Sequence, residues 1–272
     1  GDLAPDSPAS LSAALLGKLR SKLPPAEVSA WVDDALQIDA VRVELVTHTM
    51  LHAGAKSVSH LEKLLEKYDW LLGHVASDAR AKMQLVSAAC SYWRDSLQMQ
   101  TLLLRKLIAH GLIDAPAVLA HSFSPAGRPA LIDGSGWSLV HAVVGWIVGQ
   151  ERDSADALRS AERHHEDLAR DGRDDQAVLG AEERANEVRQ KHEHVRREKK
   201  AAFANLFAGA CAVLSEEAAD GGVAPTEPEW RRLCIGHVHA LGRLHRNQFS
   251  LETVEMVAEG SDVPEGLREE VF

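Results

Sequence analysis

At 272 residues, with 45% hydrophobic and 26% charged positions, the chain can bury a sizeable core as one large or two small domains. Its formal net charge of −10 argues against its wrapping a phosphate backbone by itself. No run of eighteen uncharged apolar residues occurs and no basic stretch precedes an apolar one, so neither a membrane span nor a cleaved leader is expected. The three cysteines, Cys90, Cys211 and Cys234, are odd in number and far apart, which suits a reducing compartment. The chain starts on Gly1 rather than methionine and is expected to be a piece of a longer protein.

In chain order, Ser10 is expected to cap a first helix carrying Leu11, Leu15, Leu16 and Leu19 at helical spacing. Pro24-Pro25 ends it and begins the next, because proline suits a first turn and breaks an interior. That second helix shows Val28, Trp31, Val32 and Leu36 on one face. A third runs roughly from Ala40 to Ala55 around Val43, Val46, Met50 and Leu51. Ser57 or Ser59 caps a fourth, where Leu61, Leu64, Leu65, Tyr68, Leu71, Leu72 and Val75 recur at three and four. Ser77 precedes a fifth that ends at Trp93, and Ser96 a sixth that stops at Gly111. Asp114 caps a seventh, with Val118, Leu119 and Phe123, which dies at Ser124-Pro125. No useful stretch alternates with period two, so the fold class is all-α. Short connections between amphipathic helices favour bundles or an α-solenoid of stacked helix pairs.

Pro125 to Gly136 reads as a loop because of Gly127, Pro129, Gly134 and Gly136. Two long helices folded back on each other follow, rooted in Trp137, Leu139, Val140, Val143, Val144, Trp146 and Ile147 on entry and in Phe203, Leu206, Phe207, Val213 and Leu214 on return. Between Glu151 and Lys200 lie 26 charged residues in 50, 14 acidic and 12 basic, and no aromatic. Residues 151–200 are therefore expected to be the charged tip of an antiparallel coiled-coil hairpin projecting from a single helical domain, 1–272. Its seam is Leu158, Ala161, His165 and Leu168 against Val178, Ala181, Ala185, Val188, His192, Val195, Lys199, Ala202 and Leu206, with a turn at Asp171-Gly172-Arg173-Asp174. Alanine, histidine and lysine make this seam weak, so the tip should fray. A last long helix spans about Glu229 to Arg246, offering Trp230, Leu233, Val238, Leu241 and Leu244 for burial, and short amphipathic pieces follow at Leu251–Val257 and Leu267–Phe272.

Chemistry finds little foothold. Cys234-x-x-His237-x-His239, with His245 beyond, has ligand types that suit zinc, but position 239 turns away from 234 and 237 on a helix and no second cysteine pair closes a site. A packed cysteine beside surface histidines is the favoured reading, and no metal or other cofactor is expected. His164, His165, His192 and His194 could meet across the seam as a pH-sensitive cluster, although solvated polar positions explain them more simply. The basic run Lys191, Arg196, Arg197, Lys199, Lys200 could attract RNA, yet acids interleave it and no aromatic platform accompanies it. Ser138 and His141 lie one turn apart without an oxyanion hole or an orienting acid. No phosphate loop, G-x-S-x-G or H-E-x-x-H occurs, so no catalytic residue is proposed. Tyr92-Trp93-Arg94-Asp95 is of more interest: Trp93 should plug an inter-helix corner, leaving Arg94 and Asp95 for partner contacts.

Several stretches carry a resemblance. Thr49-Met-Leu-His-Ala-Gly-Ala-Lys-Ser-Val-Ser-His60, the helix from Leu61 to Val75 with Ser77-Asp78 after it, and Tyr92-Trp-Arg-Asp-Ser-Leu-Gln-Met99 resemble the last helical domain of the large subunit of the nuclear cap-binding complex. Ile113-Asp-Ala-Pro-Ala-Val118 and His121-Ser-Phe-Ser124 are similar to that family's next helix and its end, and Trp230 to Cys234 to the helix after its long charged hairpin. The resemblance runs from about Val43 onward and weakly includes Leu11 to Asp34.

The resemblance implies HEAT-like helical-repeat architecture, related to the middle domain of the translation-initiation scaffold. It also implies a non-enzymatic role in the nucleus, with shuttling to the cytoplasm possible. There the family's large subunit holds an RNA-recognition-motif small subunit, through which it meets the 7-methylguanosine cap of RNA, and it recruits export, processing, decay and translation factors. Expected partner contacts are Lys56, His60, Arg94, Asp95 and Gln98. Two alternatives stand beside this reading: a translation-factor-like middle domain that binds a helicase, and a helical metal-dependent hydrolase in which Cys234, His237 and His245 converge.

Overall fold

The computed structural model describes residues 7–21, 23–37, 39–54, 57–171, 175–215 and 228–245, and every regular element among them is an α-helix. The chain divides into two compact units, Gly1–His121 and Ser122–Phe272.

In the first unit, α1 (Pro8–Arg20) starts on a proline whose fixed φ suits a first turn, and the Ser7 hydroxyl accepts the Ser10 N–H at 3.3 Å. Ser7 is thus the cap, and Ser10, expected in that role, supplies the donor. The Pro-Pro step works as read: Pro24 precedes and Pro25 opens α2 (Pro25–Ala35). After α3 (Asp39–Gly54), the Ser57 hydroxyl caps α4 (Val58–Val75) by accepting the His60 N–H at 3.2 Å. Asp78 caps α5 (Ala79–Tyr92), Ser96 caps α6 (Leu97–Ala109), and Asp114 begins α7 (Ala115–Phe123), inside which the unit boundary falls. Past α6, Gly111 adopts φ +70°, so that its N–H reaches the Ile108 carbonyl and the Leu112 N–H that of Leu107, both at 2.9 Å. This Schellman closure satisfies carbonyls that the helix end would otherwise leave open.

Side-chain ties define two layers. Ser12 of α1 meets Thr49 of α3 at 2.8 Å, and His48 of α3 bonds the Ala88 carbonyl of α5 at 3.0 Å, so α1, α3 and α5 form one layer. On the other side Asp33 of α2 meets His74 of α4 at 3.1 Å. Glu62 and Asp69 of α4 then pair with Lys106 and His110 of α6, in that order. Because both partners advance together, α4 and α6 run parallel, as equivalent helices of successive pairs in a helical repeat must. Leu15, Val46, Met50, Leu61, Leu65, Leu85, Leu103 and Leu107 are fully buried between the layers. Each side chain of that size contributes about 2 kcal/mol by leaving water. An irregularity is a break inside α4 at Tyr68 (φ −129°, ψ 16°), whose hydroxyl reaches the Leu19 carbonyl at 2.9 Å.

In the second unit the segment read as a loop contains a short helix, α8 (Arg128–Ile132), which buries Leu131. Gly134, at φ +86°, then turns the chain into α9 (Ser135–Arg170). Gly136 is no breaker but part of that helix: a Cβ there would lie 2.9 Å from the Ala130 carbonyl carbon, so only glycine lets α8 rest on α9. α10 (Asp175–Ser215) returns along α9. The ties Glu151–Lys199 (3.5 Å), Ser154–His192 (2.9 Å) and Glu162–Arg189 (2.8 Å) fix an antiparallel register.

The seam residues are those expected. Leu158, Ala161, His165 and Leu168 are half-buried, as are Val178, Val188, His192, Val195 and Lys199, while Ala181, Ala185, Ala202 and Leu206 are buried. Residues 172–174 of the turn lie outside the described residues. All the expected apolar roots of the hairpin are buried except Trp146, which is half-buried. α11 (Pro228–Leu244) packs on α10 and buries Trp230, Cys234, Val238 and Leu241. Leu233 and Leu244, offered for burial by the sequence, are 38% and 70% exposed, since one is rotated about 100° from Cys234 and the other is the last helical residue. The pieces at 251–257 and 267–272 lie outside the described residues.

Candidate partner-binding surface

The corner between α5 and α6 is built from α5's last turn. Tyr92 and Trp93 meet edge to face at 5.2 Å, and Tyr92 tilts against His48 at 5.6 Å. His48 Nε2 is 3.0 Å from the Ala88 carbonyl and 3.1 Å from Ser91 Oγ. The carboxamide of Gln100, one turn into α6, reaches back and donates to the carbonyls of Cys90 (3.2 Å) and Trp93 (3.0 Å). Those carbonyls end α5, where Trp93's also accepts the Ser96 N–H at 2.9 Å, so Gln100 acts as an additional C-cap delivered from the next helix. Trp93 is half-buried, as a plug would be. Cys90 sits beneath, and burial pushes its thiol up to about 12, which keeps it unreactive.

This corner presents exposed charge. Arg94 and Asp95 are 82% and 97% exposed by side chain and stand 3.9 Å apart, a loose surface pair. Gln98, in the first turn of α6, is exposed. His60 is exposed at the start of α4, with Nδ1 3.2 Å from Ser57 Oγ. Lys56 lies outside the described residues. Since α4 and α6 run parallel, the first turn of α4, with His60, and that of α6, with Gln98, lie toward the same end of the two helices. Sequence reasoning missed His48 and Gln100, which hold this corner. The only signal for Gln100 was an amide in an otherwise apolar stripe just past a tryptophan.

The other candidates resolve differently. Cys234 is fully buried, its thiol pushed up to about 12 by burial and by Cys211. His237 turns away from it to stack on Trp137, and among the described residues no three His, Cys, Asp or Glu side chains are placed to hold a metal. His192 bonds Ser154 while His164 and His194 are exposed. In the basic run, Lys199 is drawn inward to Glu151, both about one-sixth exposed. Ser138 is exposed and His141 bonds His237. Among the described residues no helix is long and apolar enough to cross a membrane.

All-α architecture with α4 parallel to α6 is that of a helical-repeat protein. A family described as MIF4G-like matches residues 8–243, and the chain belongs to that family. It is similar to nuclear cap-binding protein subunit 1 of Gallus gallus, at 23% identity over 78% of this chain and 28% of that protein. It is also similar to subunit 1-B of Xenopus laevis, at 24% identity over 68% of this chain and 24% of the relative. Subunit 1 of Arabidopsis thaliana is 26% identical over 42% of this chain and 14% of its own length. The chain thus spans less than a third of each of these relatives. Family and relatives point to a non-enzymatic helical scaffold.

Proposed function

We propose that the chain is a helical scaffold portion of a nuclear cap-binding-complex large subunit. It holds a small subunit with an RNA-recognition motif, meets the 7-methylguanosine cap only through that partner, and recruits processing and export factors. The observation that carries this reading is the family match over residues 8–243 together with relatives that are each subunit 1 of a nuclear cap-binding protein. Their names favour a nuclear site of action, and shuttling to the cytoplasm extends the same reading. The formal charge of −10 suits gripping a basic RNA-binding partner better than gripping RNA.

The proposed contact edge is made of His60, Arg94, Asp95 and Gln98, with Lys56 beside them in sequence. Its mechanism is pre-organisation. The corner backbone is already fixed by Gln100 and His48, so binding need order only the exposed side-chain ends. The test is to mix the full chain with candidate RNA-recognition-motif subunits and pass the mixture over a cap-analogue resin. Retention of both chains is expected only when a small subunit is present, and no retention with any such partner overturns the reading. Recovery of a helicase instead would favour the middle domain of a translation scaffold. In the retained complex, a triple Arg94→Ala, Asp95→Ala, Gln98→Ala variant should weaken association about tenfold or more, read by titration.

A further inference from the structure

α11 is fastened to the root of the α9–α10 hairpin through histidines. His237 lies face to face on Trp137, centroids 4.7 Å apart and planes 8° from parallel, and its Nδ1 stands 3.2 Å from His141 Nε2. His245, at the end of α11, lines a cavity with Gly145 and Gly149 of α9, and its Nε2 is buried without a hydrogen-bond partner among the described residues. A hydrogen bond between two imidazoles needs one ring to donate and the other to accept. The pair therefore holds with both rings neutral or with one protonated. It fails when both are protonated, since no lone pair remains and two cations face each other at 3.2 Å.

We propose that the α9–α11 seam is a proton-sensitive clasp, which releases α11 from the hairpin root on acidification while the α9–α10 pair stays formed. The ionisable groups facing these rings are, first, one another. The Cys211 thiol of α10 and the Cys234 thiol of α11, which burial keeps protonated and neutral, add no charge. At the His245 end stand Glu151, Arg152 and Arg159, of which Glu151 is engaged with Lys199.

Burial holds all three histidines below their ordinary value, and His141 lowers His237 and His245 further. Opening the seam restores the ordinary value of about 6.5. The closed form therefore binds fewer protons than the open one: its stability is complete above that value and is lost as pH falls through the lowered ones. Stacking on Trp137 gives a protonated His237 some cation–π attraction, which offsets part of the first proton's cost. The second proton, on His141, is the one that opens the clasp.

The test is hydrogen exchange of the full chain, corrected for intrinsic rates, at about pH 7.5 and about pH 5.5. Opening of α11 should rise as much as about tenfold per pH unit for each histidine that titrates, while α5 amides change little. A His141→Gln, His237→Phe double variant keeps a ring on Trp137 without the titrating pair and should flatten the response. Equal α11 protection at both pH values, or the same loss in the double variant, overturns the proposal. If the double variant leaves α11 unprotected at both, imidazole proton shifts of the wild-type chain decide. Titration of His141 and His237 below the ordinary value supports the clasp, and titration at or above it overturns it.

Discussion

Removing the Gln100 carboxamide leaves the Cys90 and Trp93 carbonyls without their side-chain donor at the end of α5. Gln100→Ala should therefore lower stability by about 1–2 kcal/mol, seen as a lower denaturant midpoint at unchanged slope. Gly111→Ala should cost about 1 kcal/mol, because its φ of +70° suits only glycine without strain. His121 is the buried imidazole most reluctant to charge, held down to about 4 by desolvation. Its contribution to stability is complete above about pH 6.5 and is lost as pH falls towards 4, on the order of 3 kcal/mol in all. A His121→Phe variant should show a shallower acid limb in thermal melts over that range. Single residues were legible in the sequence where chemistry is local: Asp114 was read as a cap, Ser57 as one of two candidates with Ser59, and Ser96 as the residue before its helix. The α5 cap is Asp78 rather than the Ser77 read before that helix. Ser7 was missed because Pro8 moved the helix start forward, and Gln100 because its partners lie in another helix.

The hairpin shows what periodicity can reveal at the level of elements. Its seam was readable because two helices of constant pitch shelter the same three-and-four positions along their whole length. Its register was not readable, because alanine fits alanine at several offsets. What fixes the register is the set of cross-ties at Glu151–Lys199, Ser154–His192 and Glu162–Arg189. Replacing roughly Asp153 to Arg197 with a short linker should leave a single cooperative melt of the remaining chain, since the buried root residues lie outside the deleted stretch. A broad, non-cooperative transition would count against this. α8 escaped the sequence because glycine and proline read as breakers when counted alone. In place, Gly136 removes a Cβ that would strike the Ala130 backbone. Gly136→Ala should destabilise by about 1–3 kcal/mol, measurable in the same melts, as α8 is levered away from α9.

For the whole molecule, the fold class and the helices among the described residues of the first 125 followed from hydrophobic spacing, while the break at Tyr68 did not, because the spacing runs through it undisturbed. The family was legible through resemblance rather than chemistry. A partner-binding edge has no spacing rule of the kind a metal or phosphate site obeys. Arg94, Asp95 and Gln98 share one corner by virtue of a cap and a turn, but His60 joins the proposed edge only through the parallel course of α4 and α6, which rests on Glu62–Lys106 and Asp69–His110. Charge reversal at Glu62 and Lys106 together should therefore leave α6 in place, whereas reversing one alone should lower the denaturant midpoint modestly, as exposed pairs do.

That parallel course has a consequence for how the edge can change over time. With α4 and α6 parallel, the proposed edge would offer a long partner small footholds in series rather than one deep pocket. Affinity is then spread thinly, and loss of any one foothold is survivable while loss of neighbours compounds. An edge of this kind can drift residue by residue without losing its partner, provided the pairs keep their stacking. For such an edge the spacing of the corners would matter to a partner more than the identity of the side chains on them.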